Sequence, residues 1–122
     1  MVLNKDEIEK RAKEIFNLNE KIRFVAFTIE NKLVFYSMRE GVKSYSPNNV
    51  DIEIGELRAL IVTGIFEKLK EYFGEIEYFL TKFKKVNLFI IPFSKGILTM
   101  TTEPDYSIEN LTKIKEVLNK KI

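Results

Sequence analysis

The chain has 122 residues, 45% hydrophobic and 31% charged, which suits a single globular domain over residues 1–122 and argues against disorder. It has no cysteine and no histidine, which excludes disulfides, thiolate metal sites, Ser-His-Asp and Cys-His catalysis and most zinc sites. Its 20 basic and 18 acidic residues are intermixed and leave a net charge of +2, a solvated surface with no footprint for nucleic acid.

No apolar run reaches the length of a membrane span. Met1-Val2-Leu3-Asn4 leads straight into a charged helix without a signal-peptide core, so cytoplasmic residence is the expectation. Asn4 is placed to cap that helix, with Glu7 three residues on and Leu3 able to staple against Ile8. Ile8, Ala12, Ile15 and Phe16 then form one apolar stripe at helical spacing.

Ile22–Ile29 reads as a strand, and Glu30-Asn31-Lys32 connects it to a second strand, Leu33–Met38, as a β-hairpin. The first strand is apolar on both faces, so both should be covered. Arg39–Asn49 is a loop with a turn at Gly41. A long helix follows, starting either at Ser46-Pro47 or nearer Asp51, secure over Leu57–Phe73 and stopped by Gly74. Its apolar residues cover roughly two thirds of the circumference, against the single stripe of a surface helix.

Glu75–Phe83, Val86–Ile91 and Gly96–Thr102 read as a three-strand meander. Pro104 ends the last strand, and Asp105 or Ser107 caps a closing helix bearing Ile108, Leu111, Ile114, Leu118 and Ile122. The order is α-β-β-α-β-β-β-α: an α/β (α+β) sandwich in which a five-stranded antiparallel sheet carries both terminal helices on one face and the long middle helix on the other.

Several constellations bear on chemistry. Thr101-Thr102-Glu103-Pro104-Asp105 sets two carboxylates near a strand end, but strand termination and capping account for them and nothing nearby completes a site. Lys82-Phe83-Lys84-Lys85 interleaves an aromatic with cations, as a nucleic-acid contact would, yet a charged hairpin tip explains it as well. Lys43-Ser44-Tyr45-Ser46 offers hydroxyls without a base, and Asn110-Leu111-Thr112 fits a glycosylation pattern on a predicted helix. The five glycines form no phosphate-binding spacing, so no catalytic residue, cofactor or metal is assigned. The middle helix is the strongest feature. Leu60 and Gly64 lie on its outer flank, with Ala59 and Thr63 at the polar border, and short side chains at i, i+4 let a second helix approach closely.

The chain resembles the Roadblock (dynein light chain) and longin-like superfamily, and more narrowly a family of small archaeal Roadblock-like proteins of unknown function. The stretches that carry the resemblance are Ile22-Arg23-Phe24-Val25, Arg39-Glu40-Gly41-Val42-Lys43, Phe73-Gly74-Glu75-Ile76-Glu77-Tyr78, Lys84-Lys85-Val86 and Thr102-Glu103-Pro104-Asp105. The resemblance implies a Roadblock/profilin-like sheet. It also implies a homodimer in which middle helices pack together and third strands pair edge to edge, and a platform for Ras-like small GTPases. On that basis the expected dimer interface is Leu60, Thr63, Gly64 and Phe66 of the middle helix with Ile76, Tyr78 and Leu80 of the third strand. The expected function is a non-catalytic homodimeric scaffold that docks a protein partner. The alternative is a small-molecule sensor domain, disfavoured because Phe24, Phe27, Phe35, Phe79 and Phe89 would fill the space between sheet and helix.

Overall fold

The computed structural model describes residues 4–30, 32–45 and 65–120. Helix α1 (Lys5–Leu18) starts with the expected capping box: the Asn4 side chain accepts from the Glu7 amide at 2.9 Å, and the Glu7 carboxylate accepts from the Asn4 amide. Strands β1 (Ile22–Ile29), β2 (Lys32–Met38), β3 (Phe79–Lys82), β4 (Asn87–Phe93) and β5 (Gly96–Thr102) follow, with helix α2 (Ile65–Phe73) between β2 and β3. A 3₁₀ turn at Ile108–Asn110 leads into the closing helix α3 (Leu111–Leu118). Of the two predicted caps, Ser107 is the one used, its hydroxyl accepting from the Glu109 amide.

The five strands form one sheet in the order β2-β1-β5-β4-β3, every pairing antiparallel. No parallel crossover interrupts it. On one face, Val25, Phe27, Phe89, Ile91, Leu98 and Met100 form a continuous core with Ile8, Ala12 and Ile15 of α1 and Leu111, Ile114 and Leu118 of α3. The terminal helices therefore share a face, as their single stripes required. On the opposite face Phe24, Ala26, Leu88 and Ile90 are buried too, in keeping with the doubly apolar first strand. The predicted stretch Asp51–Gly64 of the middle helix lies outside the described residues; Gly74 closes the helix at φ +87°, its amide donating to the Lys70 carbonyl.

Two expectations for the meander are corrected. Strand β4 continues through Pro92, which stands opposite Ile97, instead of ending at Ile91. Strand β3 is the short segment Phe79–Lys82, not Glu75–Phe83, because its ladder to β4 starts at the pair Phe79–Ile90. If that register ran on, Pro92 would face Glu77, and proline has no amide proton to donate. Pro92 therefore bars the β3 ladder from extending to Glu77. At the head of β5, a Cβ on Gly96 would stand 2.0 Å from the Thr28 carbonyl oxygen, so only glycine lets β5 meet β1 there.

Candidate functional site

The two ends of the sheet differ. Strand β2 is an edge blunted in the way natural edges usually are: its register with β1 slips between Phe27 and Thr28, leaving Val34 as an extra residue, and Lys32 stands at its start. Strand β3 is the other edge, and its register with β4 is unbroken. The outer side of β3 has no neighbouring strand among the described residues.

Just before this edge, Tyr72 and Phe73 close helix α2 with 77% and 80% of their surface exposed. These are the most solvent-exposed large apolar side chains among the described residues, and they precede the edge strand by a few residues in the chain. Their signal in the sequence is the excess width of the apolar arc on the middle helix. The pattern predicts that this arc brings helices together around Gly64; its described part ends in these rings.

The predicted interface residues divide into three groups. Leu60, Thr63 and Gly64 lie outside the described residues, and Phe66 falls in the first turn of α2. Ile76 and Tyr78 sit in the extended approach to β3, and Leu80 is within it. Tyr78 and Leu80 are half-buried against the core of their own chain, the Tyr78 ring lying 6.5 Å from Phe89. What β3 has left to offer is its backbone edge more than these two side chains.

The carboxylates considered for acid-base or metal chemistry are engaged otherwise. Glu103 accepts from Arg23 at 2.9 Å, and Asp105 accepts from Lys21 at 2.7 Å. The hydrogen bond from Lys21 holds the Asp105 carboxyl below its ordinary range. No group of three potential metal ligands exists among the described residues.

Arg23 also donates to the Lys43 carbonyl at 2.8 Å and lies 4.4 Å from the Tyr45 ring centre, while the Lys85 ammonium lies 5.2 Å from the same ring. Residues from four of the stretches that carry the sequence resemblance therefore meet at one end of the sheet. In the Arg39 stretch, the guanidinium donates to the carbonyls of Phe16, Asn19 and Ile22, each at 2.6 Å, and caps the end of α1. The roles of this cluster are structural. The sequence marks the stretches but does not show why they belong together.

No protein-family model matches the chain, and no curated protein matches it in sequence. Its fold does match solved structures. The gliding protein MglB from Thermus thermophilus superposes with a TM-score of 0.67 over 97% of this chain and 92% of that one, at 10% identity. MglB in a tetrameric arrangement gives a TM-score of 0.69 at 10% identity, covering 98% and 90%. Myxococcus xanthus MglB gives 0.55 at 17% identity, covering 99% and 98%. With the observed sheet order, and with both terminal helices on one face, these likenesses establish a Roadblock/longin-like fold for this chain.

Proposed function

We propose that this chain is a non-catalytic, homodimeric regulatory or scaffolding module whose partner, beyond its own second copy, is a protein, with a Ras-like small GTPase the class implied by the Roadblock-like fold. The observation that carries the reading is the β3 edge: an unblunted strand with no outer neighbour among the described residues, preceded in the chain by Tyr72 and Phe73 at 77% and 80% exposure. A second copy placed about a two-fold axis would satisfy the free backbone groups and cover the two rings. That one similar structure is of MglB in a tetrameric arrangement supports self-association as a property this fold permits.

A regulatory role is favoured over an enzymatic one because the described polar groups are committed to structure. Arg23, Arg39, Glu103 and Asp105 hold helix ends, loops and neighbouring charges. The alternative, a small-molecule sensor, is supported by no specific observation; Phe27 and Phe89 occupy the space a ligand would need.

The test is sedimentation equilibrium of the wild type and of Tyr72→Ser/Phe73→Ser. The wild type should be a dimer, and the double variant should be mainly monomeric at the same concentration. A wild type that stays monomeric at the highest accessible concentration removes the homodimer reading. Titration with small GTPases from the native host, in diphosphate and triphosphate-analogue states, tests the partner. Absence of any binding that depends on the nucleotide removes the GTPase assignment and leaves the dimer standing.

A further inference from the structure

Charge is not spread evenly over the fold. At the end of the sheet where β1 and β4 begin and β2, β3 and β5 finish, two acidic groups are already taken: Arg23 donates to Glu103 at 2.9 Å and Lys21 to Asp105 at 2.7 Å. Lys43, Lys82, Lys84 and Lys85 stand at the same end, all exposed, and none has a carboxylate partner among the described residues. Lys82 is held at neutral acceptors, Asn87 Oδ1 and the Pro104 carbonyl, which leave its charge uncompensated. Against these lysines stand Glu20 and Glu40, in the turns after α1 and β2. Between β3 and β4 the Phe83 amide donates to the Val86 carbonyl at 2.9 Å, closing a turn in which every residue from 81 to 85 is exposed. The Phe83 ring is 52% exposed, with lysines on both sides of it in the chain. Lys85 links this turn to a second exposed ring, Tyr45, whose centre lies 5.2 Å from the ammonium.

We infer that this turn docks the protein on an anionic lipid bilayer. Phe83 enters at the level of the headgroups, and the ammonium groups of Lys84, Lys85 and Lys43 lie among the lipid phosphates. The inference goes beyond the homodimer reading and requires no second copy. An anionic bilayer complements lysines that no carboxylate opposes. Their long stems carry charge to the headgroups, while an aromatic ring is the side chain that settles at the interface between headgroup and acyl chain. One ring and a few lysines give reversible, peripheral attachment, far short of that of an inserted helix.

Two other occupants fit this end less well. Protein interfaces are depleted in lysine and bury about 800 Å² on each partner around desolvated anchors, whereas here lysines flank a ring at the tip of a turn. A single strand of nucleic acid needs a groove with aromatic platforms for its bases. Both faces of the sheet are already filled, by Val25, Phe27 and Phe89 on one side and by Phe24, Leu88 and Ile90 on the other, so its central strands offer no such platform. A lysine close to an anionic surface tightens partitioning about fivefold, so reversing two of them should weaken it at least about 25-fold. Removing a half-exposed phenyl ring should weaken it about fivefold to tenfold.

The experiment is co-sedimentation of the full chain with vesicles of phosphatidylcholine alone and with about one third phosphatidylglycerol. It compares wild type, Phe83→Ser, Lys84→Glu/Lys85→Glu and a control, Lys5→Glu/Lys32→Glu, which makes the same change in net charge at exposed positions of α1 and the start of β2. Circular dichroism fixes the folded fraction of each, so a folding defect is not read as lost binding. The expected result is binding of wild type and control to the anionic vesicles and not to the neutral ones. The lysine variant should bind at least about 25-fold more weakly and Phe83→Ser about fivefold to tenfold more weakly. No binding to the anionic vesicles overturns the inference. So does a control that loses as much as the lysine variant, since net charge alone would then be at work, or a Phe83→Ser that binds like wild type. Tighter binding to a single-stranded polynucleotide than to the vesicles, lost in the same variants, assigns the turn to nucleic acid and overturns the membrane reading. Each of these failures leaves the homodimer reading standing.

Discussion

Tyr106 shows at residue scale how a polar group can sit in the core without a role. It is 5% exposed, its ring packs edge-on against Phe89 at 5.7 Å, and its hydroxyl has no hydrogen-bond partner among the described residues. Burial pushes its pKa up from 10.0 to about 12, because the phenolate would be poorly solvated. Tyr106→Phe removes an unsatisfied hydroxyl and keeps the ring, so stability at neutral pH should be unchanged or up to about 1–2 kcal/mol higher by urea denaturation. The pH dependence has a definite sign. Between pH 10 and 12 the unfolded chain releases the phenol proton while the folded chain keeps it, so wild-type stability falls as pH rises. The variant lacks this term, and its advantage should widen through that window. A constant difference would show that the hydroxyl is solvated.

At the scale of elements, two arginines from elsewhere in the chain bond the last carbonyls of helices, and α1 has no basic residue in its own last turn. Arg39 ends α1, and Arg11, only 6% exposed, reaches from the middle of α1 to the carbonyls of Leu118 and Lys120 at the end of α3. The terminal helices are thereby joined by charge-assisted hydrogen bonds as well as by apolar packing. Arg11→Met keeps the apolar stem and loses both donors, which should cost about 1.5–3 kcal/mol in chemical denaturation. Arg11→Lys should recover less than half of that loss, because a single ammonium cannot fork onto two carbonyls in fixed geometry. Equal stability of wild type and Arg11→Met would place the helix–helix contact in the apolar stripe alone.

For the whole molecule, the proposed dimer has a thermodynamic signature. If folding is linked to association, the thermal midpoint rises with protein concentration, and Gly64→Glu, which puts bulk and charge at the position expected to let helices approach, should flatten that dependence. Scanning calorimetry over a hundredfold concentration range measures both. A midpoint independent of concentration in the wild type would speak against coupled folding and dimerisation.

Local chemistry made most of the architecture legible in the chain. The capping box at Asn4 and Glu7, the terminal helical stripes, the strands Ile22–Ile29 and Gly96–Thr102 and the stop at Gly74 each depend on neighbours a few residues away, and each appears where the pattern put it. The place of the third strand at a sheet edge followed from resemblance and is observed. Long-range geometry decided the rest. Pro92, a residue of another strand, bars the β3 ladder from reaching Glu77; Gly96 is required by a carbonyl of β1; and Arg11, Arg23 and Arg39 find partners at separations no periodicity encodes. Tyr72 and Phe73 belong to an apolar arc in one dimension, and only the packed chain leaves them in water. A sequence pattern records which residues need cover, whereas three-dimensional packing determines which of them receive it from their own chain.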